Sequence, residues 1–342
     1  MSQRVPSGRQ PTLDDVAARA GVGRGTVSRV VNGSPKVSAQ VRAAVERAVV
    51  ELGYVPNRAA RALVTRRTDV LALVVLDPPG EASDAAFAAV VRGALAGLDG
   101  TDWQTWLLLA ASPRQRERAA AVLTRQHVDG VLLIGAGPAD PLAAALERRQ
   151  LPAVFVGGYR PATPGAGWAD VEDQAGGRRA AEHLLAAGRR WLGAVAGDSA
   201  VEAAALTGYR SALRAGPPGS TAAGVQRTMA ADDCAATVHR AAAAVRRLCQ
   251  QQPRLDGVFA TSDLAAVGAV RALGALGRRV PADVAVVGYG DTPVATGAQP
   301  PLTTVRRPAY ELGRCAATLL LGLLGAVPSG AEPAGPPAQA AG

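Results

Sequence analysis

Apolar residues at Leu13, Val16, Ala17 and Ala20 recur at i, i+3, i+4 and i+7, the period of one helix face. They predict a helix opened by Thr12 and Asp15, which have the spacing of a capping box. Gly21 and Val22 make a short turn, and a second helix follows from about Arg24 to Asn32 with Val27, Val30 and Val31 turned inward. A third helix over residues 38–52 offers Val41, Val45, Ala48, Val49 and Leu52 to the same core, stopped by Gly53 and Pro56. Two short helices joined by a tight glycine turn, with a third closing the core, predict a helix-turn-helix module too small to do more than display a surface.

From Val70 onward the pattern changes. Apolar runs at residues 70–76, 105–109, 130–134, 153–156, 191–196, 257–260 and 284–288 predict strands, separated by helix-length stretches such as 85–98, 114–126, 175–187 and 264–276. Such alternation implies parallel sheets with right-handed crossovers, and the number of strands suits two doubly wound lobes with a cleft lined by strand ends. The fold class expected is therefore α/β: a three-helix headpiece followed by a two-lobed domain. Of the 18 residues from 325 to 342, 14 are Gly, Pro or Ala, which places this tail outside the fold.

Composition narrows the classes. A chain of 342 residues holds two or three domains, and 48% hydrophobic with 19% charged residues is globular. The longest apolar run, residues 319–327, is about half the length a bilayer needs, so no membrane partner is expected. Arg4 and Arg9 followed by Asp14 and Asp15 lack the apolar stretch of a secretion signal, so a soluble cytoplasmic location is expected. Cys234, Cys249 and Cys315 with His127, His183 and His239 have no metal-ligand spacing, so neither disulfide, metal nor cofactor is expected.

Charge matters once it is located. The net charge is +9, and residues 1–68 hold twelve bases against four acids, leaving about one net positive charge for everything else. A small basic module attached to a nearly neutral body is the asymmetry expected when one end meets a polyanion. The outer face of the second helix carries Arg24, Gly25, Ser28, Arg29 and Asn32. Arginine bonds guanine O6 and N7 bidentately and asparagine does the same for adenine N6 and N7, while hydroxyls and helix amino ends suit phosphates. This is the chemistry of a recognition helix in the major groove of double-stranded DNA.

The stretch PTLDDVAARAGVGRGTVSRVVNG over residues 11–33, with KVS at 36–38 and GYVPN at 53–57, resembles the DNA-binding headpiece of the lactose/galactose repressor (LacI/GalR) family. By position, the resemblance implies that Arg24 and Gly25 discriminate the operator, with Arg29 and Asn32 as further groove contacts. Thr12, Thr26, Ser28, Ser38 and Asn57 become phosphate anchors, and Leu13, Lys36 and Arg58 complete the DNA-binding set. Gly23 stands where that family has a serine cap, and glycine caps less well by a few tenths of a kcal/mol. Residues 57–63, NRAARAL, form a helix too short to persist alone in water. The resemblance makes it a hinge helix that pairs with its dimer mate in the minor groove, where Leu63 pries open a base step. The domains expected are thus headpiece 1–56, hinge and linker 57–68, effector and dimerisation domain 69–324, and tail 325–342.

The body carries looser landmarks of the same family: VDGVLL at 128–133, EHLLAAG at 182–188, Gly208-Tyr209, TSDLAAVG at 261–268, VPADVAVVGY at 280–289 and PLTT at 301–304. They resemble a periplasmic-binding-protein-like effector domain, which implies a ligand in the cleft. Phe87, Ser262, Asp263 and Arg307 are the candidate ligand contacts. The resemblance places an effector-binding arginine and aspartate where this chain has Ala205 and Gly290, so the site departs from the family pattern. A charged bidentate contact is worth about 1.5–3 kcal/mol, so losing both without substitutes weakens a sugar by roughly two to four orders of magnitude. Simple mono- and disaccharides are then not expected to act at micromolar concentration unless Arg307, Arg160 or Trp168 supplies a substitute.

These features imply a sequence-specific DNA-binding regulator, with repression the role the resemblance implies, acting as a homodimer on a pseudopalindromic operator under an unknown small-molecule effector. The alternative is a regulator of the same fold that has lost ligand response. A solute receptor needs export and has no use for the headpiece. An enzyme reading of the GAVAGD loop at 193–198 fails because the dinucleotide-loop pattern is missing and no acid or base pair is suitably set.

Overall fold

The computed structural model describes residues 11–31, 33–55, 67–76, 84–163, 165–216, 221–228 and 234–326. Asn32, Asn57, Arg58 and Leu63, the hinge helix and the tail from residue 327 lie outside them. The chain divides into units 1–68 and 69–342.

The first unit has three helices, α1 (Leu13–Ala20), α2 (Arg24–Val31) and α3 (Ala39–Leu52). Thr12 and Asp15 form the capping box of α1: the Asp15 carboxylate accepts from the Thr12 N–H (2.8 Å) and hydroxyl (2.7 Å). Gly21 then turns the chain at φ +67°, a conformation that favours glycine. Val16, Val27, Val30, Val45 and Ala48 fill the core, as the helical period predicts, and Tyr54 joins them from beyond α3.

The second unit holds two five-stranded parallel sheets. The first comprises β1 (Val70–Val75), β2 (Gln104–Leu109), β3 (Gly130–Ile134), β4 (Ala153–Val156) and β5 (Ala166–Ala169), in the order β2-β1-β3-β4-β5. The second comprises β6 (Trp191–Ala196), β7 (Thr221–Arg227), β8 (Gly257–Ala260), β9 (Ala285–Gly290) and β10 (Thr303–Arg306), in the order β7-β6-β8-β9-β10. Both sheets repeat one doubly wound order, whose strand direction of travel reverses between β1 and β3 and again between β6 and β8.

Helices cover both faces of each sheet. On the first, α4 (Asp84–Leu98) lies on one face, and α5 (Pro113–Val122) and α6 (Pro141–Arg148) on the other. On the second, α7 (Asp173–Ala186) and α8 (Ala200–Ala215) cover one face, and α9 (Cys234–Gln251) and α10 (Asp263–Ala275) the other. The short α11 (Pro293–Gly297) follows β9. The last helix, α12 (Ala309–Leu323), returns to the first sheet and packs beside α4, burying Leu312, Ala316, Leu320 and Leu321 there. The run at 319–327, too short for a bilayer, is thus partly the end of a core helix. Among the described residues no helix is long and apolar enough to cross a membrane.

Seven predicted strands are present; β5, β7 and β10 are additions. All three are edge strands, which are covered on fewer sides and carry no continuous apolar run. The helix expected over 114–126 ends at Val122, where Leu123 leaves helical geometry and buries its side chain.

Candidate functional sites

In the first unit, α2 turns Val27 and Val30 into the core, which leaves Arg24, Gly25 and Arg29 exposed, with Thr26 and Ser28 half-buried. Arg24 makes only a loose ion pair with Asp14 at 3.5 Å, both side chains being well exposed. Arg29 folds back along its helix, donating from Nε to the Gly25 carbonyl (3.2 Å) and from Nη2 to the Thr26 hydroxyl (3.4 Å). A Cβ at Gly25 would meet nothing within 4 Å, so the face between the two arginines is open. Leu13 is half-buried, and the Thr12 hydroxyl is already engaged by Asp15. Ser38 and Lys36 are exposed; Ser38 caps α3 by position and makes no side-chain cap bond. Arg24, Gly25, Arg29, Lys36 and Ser38 thus present a basic, hydroxyl-bearing surface, the chemistry that suits base edges and phosphates.

In the second unit, ligands of doubly wound sheets bind outside the carboxyl ends of the strands, where the order reverses. Phe87 lies at that point of the first sheet: its ring atoms would be 3.4 and 3.5 Å from a Cβ on Gly135, the residue after β3. At the same point of the second sheet is a residue the sequence reading missed. The Glu202 carboxylate accepts from the Gly197 N–H (3.2 Å), the Thr261 hydroxyl (2.8 Å) and the Ser199 hydroxyl (2.9 Å), tying the ends of β6 and β8. The Ser199-x-x-Glu202 capping-box spacing was the available signal. Ser262 follows and spends its hydroxyl capping α10.

Asp263 is buried and takes three bonds, from the Thr292 N–H (2.7 Å), the Thr292 hydroxyl (2.8 Å) and the Thr304 hydroxyl (2.5 Å). Its carboxylate braces the turn after β9. Arg307 donates from Nε to buried Asp173 at 3.0 Å, and the Tyr289 hydroxyl donates to the same oxygen at 2.5 Å. Burial, then that carboxylate, holds the Tyr289 phenol far above its ordinary range. Phe87 and Ser262 therefore sit at carboxyl ends of different sheets, whereas Asp263 and Arg307 are each committed to a protein partner.

Ala205 is fully buried, with its carbonyl against Gly177 of α7. Gly290 adopts φ +130°, and a Cβ there would come within 3.2 Å of Thr292 and 3.3 Å of Asp263. Both positions belong to packed backbone.

A third group rims β4 and β5. The Arg160 guanidinium stacks 4.0 Å from the Trp168 ring centroid, pairs with Asp170 at 2.7 Å and donates to the carbonyls of Gly157 (2.7 Å) and Tyr159 (3.2 Å). Glu147 pins the same loop, accepting from the Tyr159 hydroxyl, the Ala162 N–H (2.8 Å) and the Thr163 N–H (3.0 Å) and hydroxyl (2.9 Å). The Tyr159 bond, the largest cause, and the bonds from Ala162 and Thr163 hold the Glu147 carboxyl below its ordinary range. Burial, then Glu147, pushes the Tyr159 phenol up to about 12. Among the described residues no group of three or more His, Cys, Asp or Glu side chains is placed to hold a metal.

Residues 12–57 match the lacI family of bacterial regulatory proteins, and residues 181–340 match the periplasmic binding protein-like domain. The HTH-type transcriptional regulator CelR of Thermobifida fusca is 44% identical over 321 residues, 92% of each chain. The ribose operon repressor of Escherichia coli (strain K12) is 29% identical, covering 91% of this chain and 92% of its own. A solved CelR–cellobiose complex shares 40% identity and a TM-score of 0.65, covering 94% of this chain and 95% of that one. A lac repressor dimer bound to operator and the anti-inducer ONPF shares 27% identity and a TM-score of 0.78, covering 93% and 94%.

Proposed function

Because this chain belongs to the lacI family of bacterial regulatory proteins, whose members are DNA-binding transcriptional regulators and not enzymes, we propose that it is a dimeric repressor. On this reading α2 reads a pseudopalindromic operator in the cytoplasm, and a small molecule held between the carboxyl ends of the two sheets controls release. The observation that carries it is the exposed face of α2, with two arginines flanking an open glycine on a helix whose other side is core. Arg24→Ala is expected to weaken operator binding by roughly 1–3 kcal/mol and to relax base choice at one position of each half-site. Fluorescence anisotropy on a set of single-base operator variants reads both effects, and identical binding of variant and parent to all of them would refute the assignment.

The dimer is supported by β2. An edge strand ordinarily carries charge or is covered, yet Trp106, Leu107 and Leu109 are exposed on this one. A groove on the second lobe is lined by Val267, Val270 and Val294 together with Arg271 and Gln299, an apolar strip with a polar edge. A second copy covers both and supplies the symmetry that a pseudopalindrome demands. Sedimentation should give a dimer, with no tetramer, and Leu107→Asp with Leu109→Asp should give monomers. A double variant that stays dimeric would exclude β2 from the interface.

For the effector, the CelR–cellobiose complex supports a saccharide as the ligand class, with Phe87 and Ser262 lining the crevice and Asp263 and Arg307 holding its walls. A second reading, loss of ligand response, is favoured by the burial of Ala205 and the backbone of Gly290. Calorimetry with cellobiose separates the two.

A further inference from the structure

The crevice lacks charged groups at positions 205 and 290, and Arg307 gives its Nε to buried Asp173. We propose that Trp168, Arg160 and Asp170 form a saccharide subsite on the carboxyl rim of the first sheet, supplying the polar and stacking contacts those positions do not. This inference rests on the reading that the effector is a saccharide.

The chemistry of the three groups selects the ligand. Trp168 is 51% exposed even with the guanidinium stacked on it, so part of the indole surface remains open to an apolar ring face. Arg160 gives Nη1 to the Gly157 and Tyr159 carbonyls and one Nη2 bond to Asp170, whose other oxygen accepts from the Val171 N–H (2.8 Å). The half-exposed guanidinium thus has Nε and part of Nη2 left to donate to a hydroxyl, and each Asp170 oxygen keeps a second lone pair to accept from one. Because the two charges pair at 2.7 Å, the platform is close to neutral, which favours a neutral polyol over an anion.

Location and rigidity support the same assignment. Arg160 bonds the carbonyl of Gly157, and Asp170 directly follows β5, so the platform stands where parallel strands end. Gly157 adopts φ +115°, and a Cβ there would meet nothing nearer than 3.9 Å, leaving room beside the guanidinium. The loop carrying Arg160 is held before any ligand arrives: Glu147 takes four bonds from it, and Tyr159 packs on Phe155 at 4.7 Å between ring centroids. A site already ordered loses less entropy on binding.

The test uses the full-length protein with cellobiose and cellotriose as probes. Trp168→Ala should weaken binding roughly tenfold by calorimetry, the scale of one lost stacking contact. Trp168→Phe should bind within about threefold of the parent while losing most of the sugar-induced change in tryptophan fluorescence. Asp170→Asn should weaken binding without altering the circular dichroism spectrum. Unchanged affinity in Trp168→Ala, or an unchanged fluorescence response in Trp168→Phe, sinks the subsite and leaves the saccharide reading standing. A parent that binds neither sugar sinks both.

Discussion

Asp173→Ala will lower the unfolding free energy by about 3–5 kcal/mol, the cost of breaking a buried pair from one side. The Asp173 side chain is 6% exposed and that of Arg307 13%, so the arginine left behind keeps its charge with little water to solvate it. The Tyr289 hydroxyl loses its acceptor as well. Asp173→Ala combined with Arg307→Met will recover much of the loss, because a neutral, well-packed pair carries no desolvation penalty. Urea unfolding followed by tyrosine and tryptophan fluorescence measures the difference. A single-variant loss below about 1 kcal/mol would mean that solvent reaches the arginine after all.

The second large effect is expected where α7 and α8 touch. A Cβ on Gly177 would lie 1.7 Å from the Ala205 carbonyl oxygen, and one on Gly208 would lie 1.8 Å from that of Gln174. Both obstacles are backbone, so no side-chain rotation relieves them, and the helices must separate. Gly177→Ala will therefore cost more than about 3 kcal/mol, at the upper end of over-packing. Gly274→Ala is the control, because that glycine is also helical and has nothing within 4 Å of its added Cβ. There the gain in helix propensity stabilises by about 0.5–1 kcal/mol. Opposite signs for one chemical change in two helices isolate the contact; two stabilising results would show that α7 and α8 can part freely.

How much of this was legible in the sequence depends on the range of the interaction that decides each feature. The helix faces in the headpiece and the buried central strands follow from local periodicity, because each is settled by neighbours within a few turns or by continuous apolar runs. Tyr54 belongs to the headpiece core although it lies past the stop signal of α3, where no period reaches it. β5, with the sequence AGWA, becomes a strand because β4 offers it a partner, a tertiary effect that overrides propensity. The candidate effector residues were the least legible. Asp173 lies 134 residues from Arg307, and nothing in the spacing of either announces that they pair. Ala205 reads as a missing contact in the sequence, whereas the fold makes it a point where two helices nearly meet.

The return of α12 to the first sheet also sets an order of events during synthesis. Leu71, Leu73, Leu132 and Val154 lie in one cluster with Leu312, Ala316, Leu320 and Leu321, a helix made at the far end of the chain. The second lobe draws only Arg307 from beyond β10 and nothing from α12 to cover its sheet, so it can close before α12 is added. The first lobe, although translated earlier, waits with part of one face bare until residues 309–323 emerge. A chain cut between β10 and α12 thus leaves its first lobe, the half made earlier, exposed to aggregation and proteolysis.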